Sequence, residues 1–235
     1  MITKTTHPTY KTIYLTIDES PSKDICTKLY YLQKYKIPAI IFCIGERVQQ
    51  HRDALLKVIE MGFIIGNHSY THPRLSRIDL TSAQQEIILM DRLIDDLYDE
   101  AGVKQPARLF RFPYGDRGGE NAAQLQELLL SMEYKQPLWS GVNYSFFREH
   151  TASACDIFWT YNVMEYDFVD ESDIGKRFAN KVWQLGKEVL EPGGWLESDS
   201  NEVMIIHDEE ETSSLFFKII DQLVAKGFEF KLPQL

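Results

Sequence analysis

The feature that most constrains the fold is an alternation. Seven short apolar runs rich in β-branched and aromatic residues, at 12–17, 38–44, 62–66, 108–112, 156–163, 202–206 and 228–231, are interleaved with amphipathic helical patterns at 22–36, 53–61, 82–100, 121–132, 173–190 and 212–226. The clearest helix is 82–100, where Ser82 and Gln85 have capping-box spacing and Ile87, Met90, Ile94 and Leu97 recur at helical intervals. Strands joined through helices run parallel, and this many units in 235 residues favour a closed barrel over two open sheets. No repeat, low-complexity run or Pro/Gly/Ser-rich linker divides the chain, so residues 1–235 are expected to form a single α/β domain.

Composition narrows the partners. At 44% hydrophobic residues the chain can bury a sizeable core, and its formal charge of −10 disfavours nucleic acid or an anionic membrane surface as partner. Cys26, Cys43 and Cys155 form neither a CxxC motif nor an even framework, as expected of a reducing compartment or of buried thiols. The N-terminus lacks an apolar leader core, and the longest apolar run, 37–44, contains Pro38 and is too short to span a bilayer. The expectation is a cytoplasmic chain without membrane insertion, with a removed leader left open.

In a β/α barrel, chemistry gathers where strands end at the C-terminal rim. The first run, read through YLTIDESPS, ends on two adjacent acids, Asp18 and Glu19; the third leads into His68 and His72, the fourth into Arg111, the sixth into His207 and Asp208. A charged pair at a strand end is most simply a solvated end, and a lone histidine is most simply a satisfied polar core residue or a surface residue. Their convergence on one rim gives them a shared purpose. His68 and His72, four residues apart, can reach one ion; one carboxylate would complete a two-His, one-carboxylate site of the kind that holds catalytic Zn²⁺. The second acid then stays free as a general base.

TIDESP, HSYTH, RFPYG, the 159–168 stretch and IIHD resemble, in order and rough spacing, the five motifs of the polysaccharide deacetylase family, the NodB-homology enzymes of carbohydrate esterase family 4. The resemblance implies a distorted (β/α)7 barrel that removes N-acetyl groups from an amino sugar or glycan with a divalent metal ion, most simply Zn²⁺. It implies Asp18 as catalytic base, Glu19, His68 and His72 as metal ligands, and Arg111 as the partner that orients the base. It also implies a backbone N–H of Tyr114 at the oxyanion, His207 as the acid that protonates the leaving amine, and Ile205 in the acetyl pocket.

The chain departs from the family pattern in two places. Glu19 stands where an aspartate is usual, followed by Ser20 in place of glycine. In the fourth motif, counting from Trp159 puts Asn162 at the position of an aspartate and Glu165-Tyr166 at the pair that orients the acid histidine; a slip of two uses Asp167-Phe168 instead. Spacing favours Glu165. These changes keep two alternatives open: hydrolysis of a non-sugar amide on the same fold, and a non-catalytic carbohydrate-binding relative. Two longer stretches, 135–154 with Trp139, Tyr144, Phe146 and Phe147, and 191–201 with Trp195, carry aromatics that either stack on sugar rings or anchor loops. The acidic run 208–211 is expected to be a solvated start to the last helix, favoured by its dipole.

Overall fold

The structure is a computed structural model that describes residues 11–167 and 199–235. Its central element is β1 (Thr12–Ser20), an apolar strand with β2 (Ile40–Cys43) on one side and β5 (Glu202–His207) on the other, all parallel. The sheet runs β3-β2-β1-β5-β4, with β3 at Ile64–Asn67, β4 at Tyr161–Asn162, and the short β6 (Glu229–Phe230) on the opening residues of β1. Parallel bridges Asn67↔Phe110 and Phe110↔Asp156 carry the pairing past β3, and the segment that starts at Asp156 runs directly into β4 beside β5. The sheet therefore closes on itself as a distorted (β/α)7 barrel.

The distortion lies in the closing strands. The fourth apolar run contributes one bridging residue, Phe110, and the fifth pairs only at Asp156 and at Tyr161–Asn162. Around the barrel run the helices α1 (Ile25–Lys34), α2 (Gly45–Gln50), α3 (Arg52–Glu60), α4 (Leu80–Ala101), α5 (Ala122–Ser131), α6 (Ser145–Thr151) and α7 (Ser213–Ala225). None among the described residues is long and apolar enough to cross a membrane. The expected helix at 173–190, Phe168 and Trp195 lie outside the described residues.

Strand alternation sorts side chains into two cores. Ile13, Leu15 and Ile17 of β1, with Met204 and Ile206 of β5, face the helices and pack on Leu29, Leu32, Val58, Leu97 and Ile219. Tyr14, Val203 and Ile205 turn inward with Phe42, Ile64, Leu109 and Trp159 to fill the barrel. By the same alternation Asp18 and His207, registered opposite each other at the ends of β1 and β5, belong to the interior set.

The structure corrects two expectations drawn from the sequence and decides between two readings of a third stretch. Helix α4 starts at Leu80, and its cap is Asp79, whose carboxylate accepts from Ser82 N at 3.0 Å; Ser82 donates its hydroxyl to the same group instead of capping. The aromatics of 135–154, open between stacking on sugar rings and anchoring a loop, are anchors. Trp139 packs edge-on against Tyr14 at 5.3 Å between ring centres, Tyr14 donates to Ser140 O at 2.9 Å, and Tyr144 donates to the buried carboxylate of Glu202 at 2.6 Å. Tyr14 and Glu202 stand at the N-terminal ends of their strands, so these aromatics plug the barrel floor, away from the rim that bears Asp18. Asp208, finally, is wholly buried, not solvated.

Candidate active site

At the rim, β1 ends in a conformation with consequences. Glu19 has φ 60°, in the left-handed region, where a residue with a Cβ typically costs about 1–3 kcal/mol that its surroundings must offset. The turn leaves Asp18 buried and Glu19 partly exposed, so the adjacent acids meet different environments.

Asp18 is fixed from below. Arg111, only 1% exposed, places Nη1 2.5 Å from Asp18 Oδ1 and 2.7 Å from Thr16 Oγ1, while its Nε donates to Ile157 O at 3.1 Å. Its guanidinium lies 4.3 Å from the centre of the Phe42 ring. A cation this deep stays only if its partner is charged and close, and removing either member would strand the other. Burial pulls the Arg111 pKa below its ordinary value, with Asp18 opposing.

His68 and His72 follow β3. Asn67 ties the loop down: its amide nitrogen donates to Ile87 O and Tyr134 Oη, its amide oxygen accepts from Ser69 N, and Ser69 Oγ accepts from His72 N. His68 Nδ1 lies 2.9 Å from Arg111 O. A carbonyl can only accept, so Nδ1 carries the proton and Nε2 presents a lone pair. That Nε2 faces His72 Nε2 at 3.2 Å. Burial pulls both imidazoles below their ordinary pKa, His72 to about 3 with the neighbouring His68 adding to the effect, so both are neutral.

The donors fit a divalent ion in part. Two nitrogens on one tetrahedral Zn²⁺, at about 2.0–2.1 Å each, sit roughly 3.3 Å apart, close to what is seen here. The carboxylates stand farther out, with Glu19 Oε1 3.8 Å from His72 Nε2 and Asp18 Oδ2 3.8 Å from His68 Nε2. Among the described residues no group of three or more His, Cys, Asp or Glu is drawn together tightly enough to hold an ion as it stands. The two imidazoles are thus suitably spaced, His68 is in the tautomer that binds metal, and a carboxylate must move closer to complete the set. Burial, then the hydrogen bond that the protonated Glu19 carboxyl donates to Glu209, push Glu19 up to about 7, against the pull of His207.

The opposite wall belongs to β5. His207 Nδ1 lies 3.0 Å from Glu165 Oε1, which also accepts from the His207 backbone N–H. Burial works against a charged imidazole, but the hydrogen bond and charge of Glu165, with Asp18 and Glu19 behind, push His207 up to about 9. Of the two carboxylates the sequence left open, Glu165 is therefore the one bonded to His207, and Tyr166 packs edge-on against the ring at 5.2 Å between centres. Asn162 accepts from Met164 N at 2.9 Å, shaping the turn that brings Glu165 in.

Asp18, Glu19, His68, Tyr114, Trp159, Ile205 and His207 line one cavity of about 370 Å³. Tyr114 occupies a left-handed position, φ 57°, in the tight turn Pro113–Gly115, its ring 4.6 Å from that of His72 and beneath the Arg74 guanidinium at 4.2 Å. Gly115 is required beside it, because at φ +67° a Cβ would also come within 2.7 Å of Trp159. Arg74 at this mouth, and the hold of Thr16 on Arg111, carried no sequence signal. Lys28 did: it stands on the apolar stripe of α1 with Ile25, Leu29 and Leu32, where a charge needs a buried partner. That partner is Asp208, 2.5 Å away.

A closed, distorted (β/α)7 barrel with paired carboxylates and imidazoles at its C-terminal rim defines the class of protein. The chain belongs to the polysaccharide deacetylase family, whose model matches residues 5–135. It is 32% identical over 124 residues, 52% of its length, to the peptidoglycan-N-acetylmuramic acid deacetylase PdaC of Bacillus subtilis, of which the match covers 26%. It is 31% identical over 107 residues, 45% of its length, to a chitooligosaccharide deacetylase of a Bradyrhizobium strain, of which the match covers 47%. These matches thus span about a quarter to a half of the relatives' length. Among solved structures, PdaC superposes with a TM-score of 0.63 at 23% identity, covering 95% of this chain and 88% of that one. A family 4 carbohydrate esterase pseudoenzyme from Bacillus anthracis gives 0.64 at 16%, covering 95% and 64%.

Proposed function

We propose that the protein is a metal-dependent hydrolase that removes acetyl groups from an N-acetylated amino sugar or glycan. The observation that carries the reading is the pairing across one cavity of Asp18, charge-bonded to buried Arg111, with His207, held protonated by Glu165. A carboxylate and a protonated imidazole facing each other are what amide hydrolysis needs: one takes a proton from water as it attacks the carbonyl carbon, the other gives a proton to nitrogen as the C–N bond breaks. The products are acetate and a free amine. His68, His72 and Glu19 would hold a divalent ion, which when bound supplies Lewis-acid polarisation of the acetyl carbonyl. The Tyr114 backbone N–H, at the edge of the cavity, is assigned to the oxyanion. Ile205 and Trp159 offer the acetyl methyl an apolar wall. Peptidoglycan and chitooligosaccharides, named for the two relatives, are the first substrates to test.

The experiment pairs metal analysis with acetate release from both glycans. Asp18→Asn is expected to keep bound metal and lose roughly 10²–10⁴-fold in turnover, whereas Glu19→Ala loses metal. Full activity in Asp18→Asn refutes the assignment. Release of acetate from a small non-sugar amide, but from neither glycan, moves the substrate off sugars, and no turnover of any amide by the metal-loaded protein leaves a binding relative.

A further inference from the structure

The strained residue at the centre of this rim is braced from two helices. Asp208 comes directly after His207, and strand alternation turns it out of the barrel into the helix layer. There its carboxylate accepts from Lys28 Nζ at 2.5 Å, Ser22 Oγ at 2.6 Å, Ser22 N at 2.7 Å and Ser20 Oγ at 3.0 Å. The Lys28 and Asp208 side chains are both 0% exposed, and Lys28 also donates to Glu209 O at 3.2 Å. From α2, Arg47 donates to Glu19 O and pairs with Glu209 Oε1 at 2.9 Å. Asp208 N donates to Asp18 O at 2.9 Å, and Ile44 N to Ser20 O at 2.8 Å. Every residue flanking Glu19 is thus tied to β5, α1 or α2. A residue held left-handed against its preference persists only when its surroundings over-determine it.

We propose that Lys28, through Asp208, and Arg47 are positioning residues that hold Glu19 left-handed and so keep its carboxylate beside His72. The functional meaning of this brace rests on the reading of Glu19 as a metal ligand; the mechanical part does not. A glutamate has one more rotatable bond than the aspartate usual here, so its reach is defined only if its backbone is fixed. The four bonds accepted by Asp208 leave no role for it as a ligand or acid in the cavity, and a charge buried so completely without a chemical role is explained by what it fastens.

The test uses the intact chain. Lys28→Met with Asp208→Asn removes the buried pair together, so that no lone charge is stranded; Arg47→Gln removes the half-exposed brace alone and spares the core. Trp139→Ala, which opens a cavity at the barrel floor away from the rim, is the control for lost stability. Zn²⁺ affinity measured by competition with a chromogenic chelator is expected to weaken by roughly 10–100-fold in the double variant, the range for loss of groups that orient ligands, and to weaken less in Arg47→Gln. Trp139→Ala should melt earlier yet bind Zn²⁺ as the parent does. A metal-free crystal structure of Arg47→Gln or the double variant should show Glu19 out of the left-handed region. Unchanged affinity in both brace variants, or Glu19 still near φ 60° in the double variant, overturns the proposal. If the parent protein itself binds no Zn²⁺, the metal reading fails, and the crystal structure alone decides whether the brace holds Glu19.

Discussion

Replacing Glu165 by Gln removes the charge that sustains His207 while leaving an amide of nearly the same shape. In the folded protein His207 stands at about 9, against an ordinary value of 6.5. The difference, 9 − 6.5, is about 2.5 pH units, or roughly 3 kcal/mol of preference for the protonated imidazole at about 1.4 kcal/mol per unit. Because burial opposes the charge, losing Glu165 should return the midpoint to its ordinary value or below it. Linkage sets the sign: a pKa raised by folding stabilises the protein fully below pH 6.5, and that stabilisation fades as the pH climbs through about 9. The variant should therefore be less stable than the parent in mildly acidic solution, with the gap narrowing toward alkaline pH. If His207 delivers a proton to the leaving amine, the alkaline limb of the kcat profile should move down by about two units. NMR titration of the His207 Cε1 proton in both proteins measures the shift without any substrate. A midpoint unchanged to within about half a unit would refute the electrostatic account of this pair.

The same geometry sets further outcomes. Arg111→Met leaves the Asp18 carboxylate buried without its cation and is expected to cost about 3–5 kcal/mol of stability, read by urea unfolding; a loss below about 1 kcal/mol would mean that the pair is not desolvated as described. Trp139→Ala should cost about 3–5 kcal/mol yet leave kcat/KM on any glycan unchanged, because the indole fills the barrel floor; a selective rise in KM for longer oligomers would place it in a substrate groove instead. Glu19→Asp, which restores the residue usual in the family, is expected to weaken Zn²⁺ binding, since the shorter side chain starts farther from His72; tighter binding would show that the extra methylene is no adaptation. His68→Ala should lose the metal outright, and unaltered metal content would exclude the imidazole pair as ligands.

The sequence by itself determined the alternation of strands and helices, hence the parallel barrel, and the rim positions of Asp18, Glu19, His68, His72, Arg111 and His207. These are properties of order along the chain: short apolar runs alternating with amphipathic helices imply parallel strands, and the residues just past the C-terminal end of a barrel strand lie at the rim. Tertiary structure decided which of two nearby carboxylates meets His207, because the turn through Asn162 and Met164 sets the register and a shift of two residues leaves the sequence pattern nearly as good. It sent the aromatics of 135–154 to the floor, since nothing in a non-periodic stretch says which end of the barrel it crosses. It also buried Asp208, whose place in an acidic run reads as a solvated helix start. The only local trace of that burial is Lys28 on the apolar stripe of α1, 180 residues away. Lys28 shows in sequence only that it needs a partner and Asp208 looks like a surface residue; desolvation, which depends on what the folded chain packs around both, is what joins them.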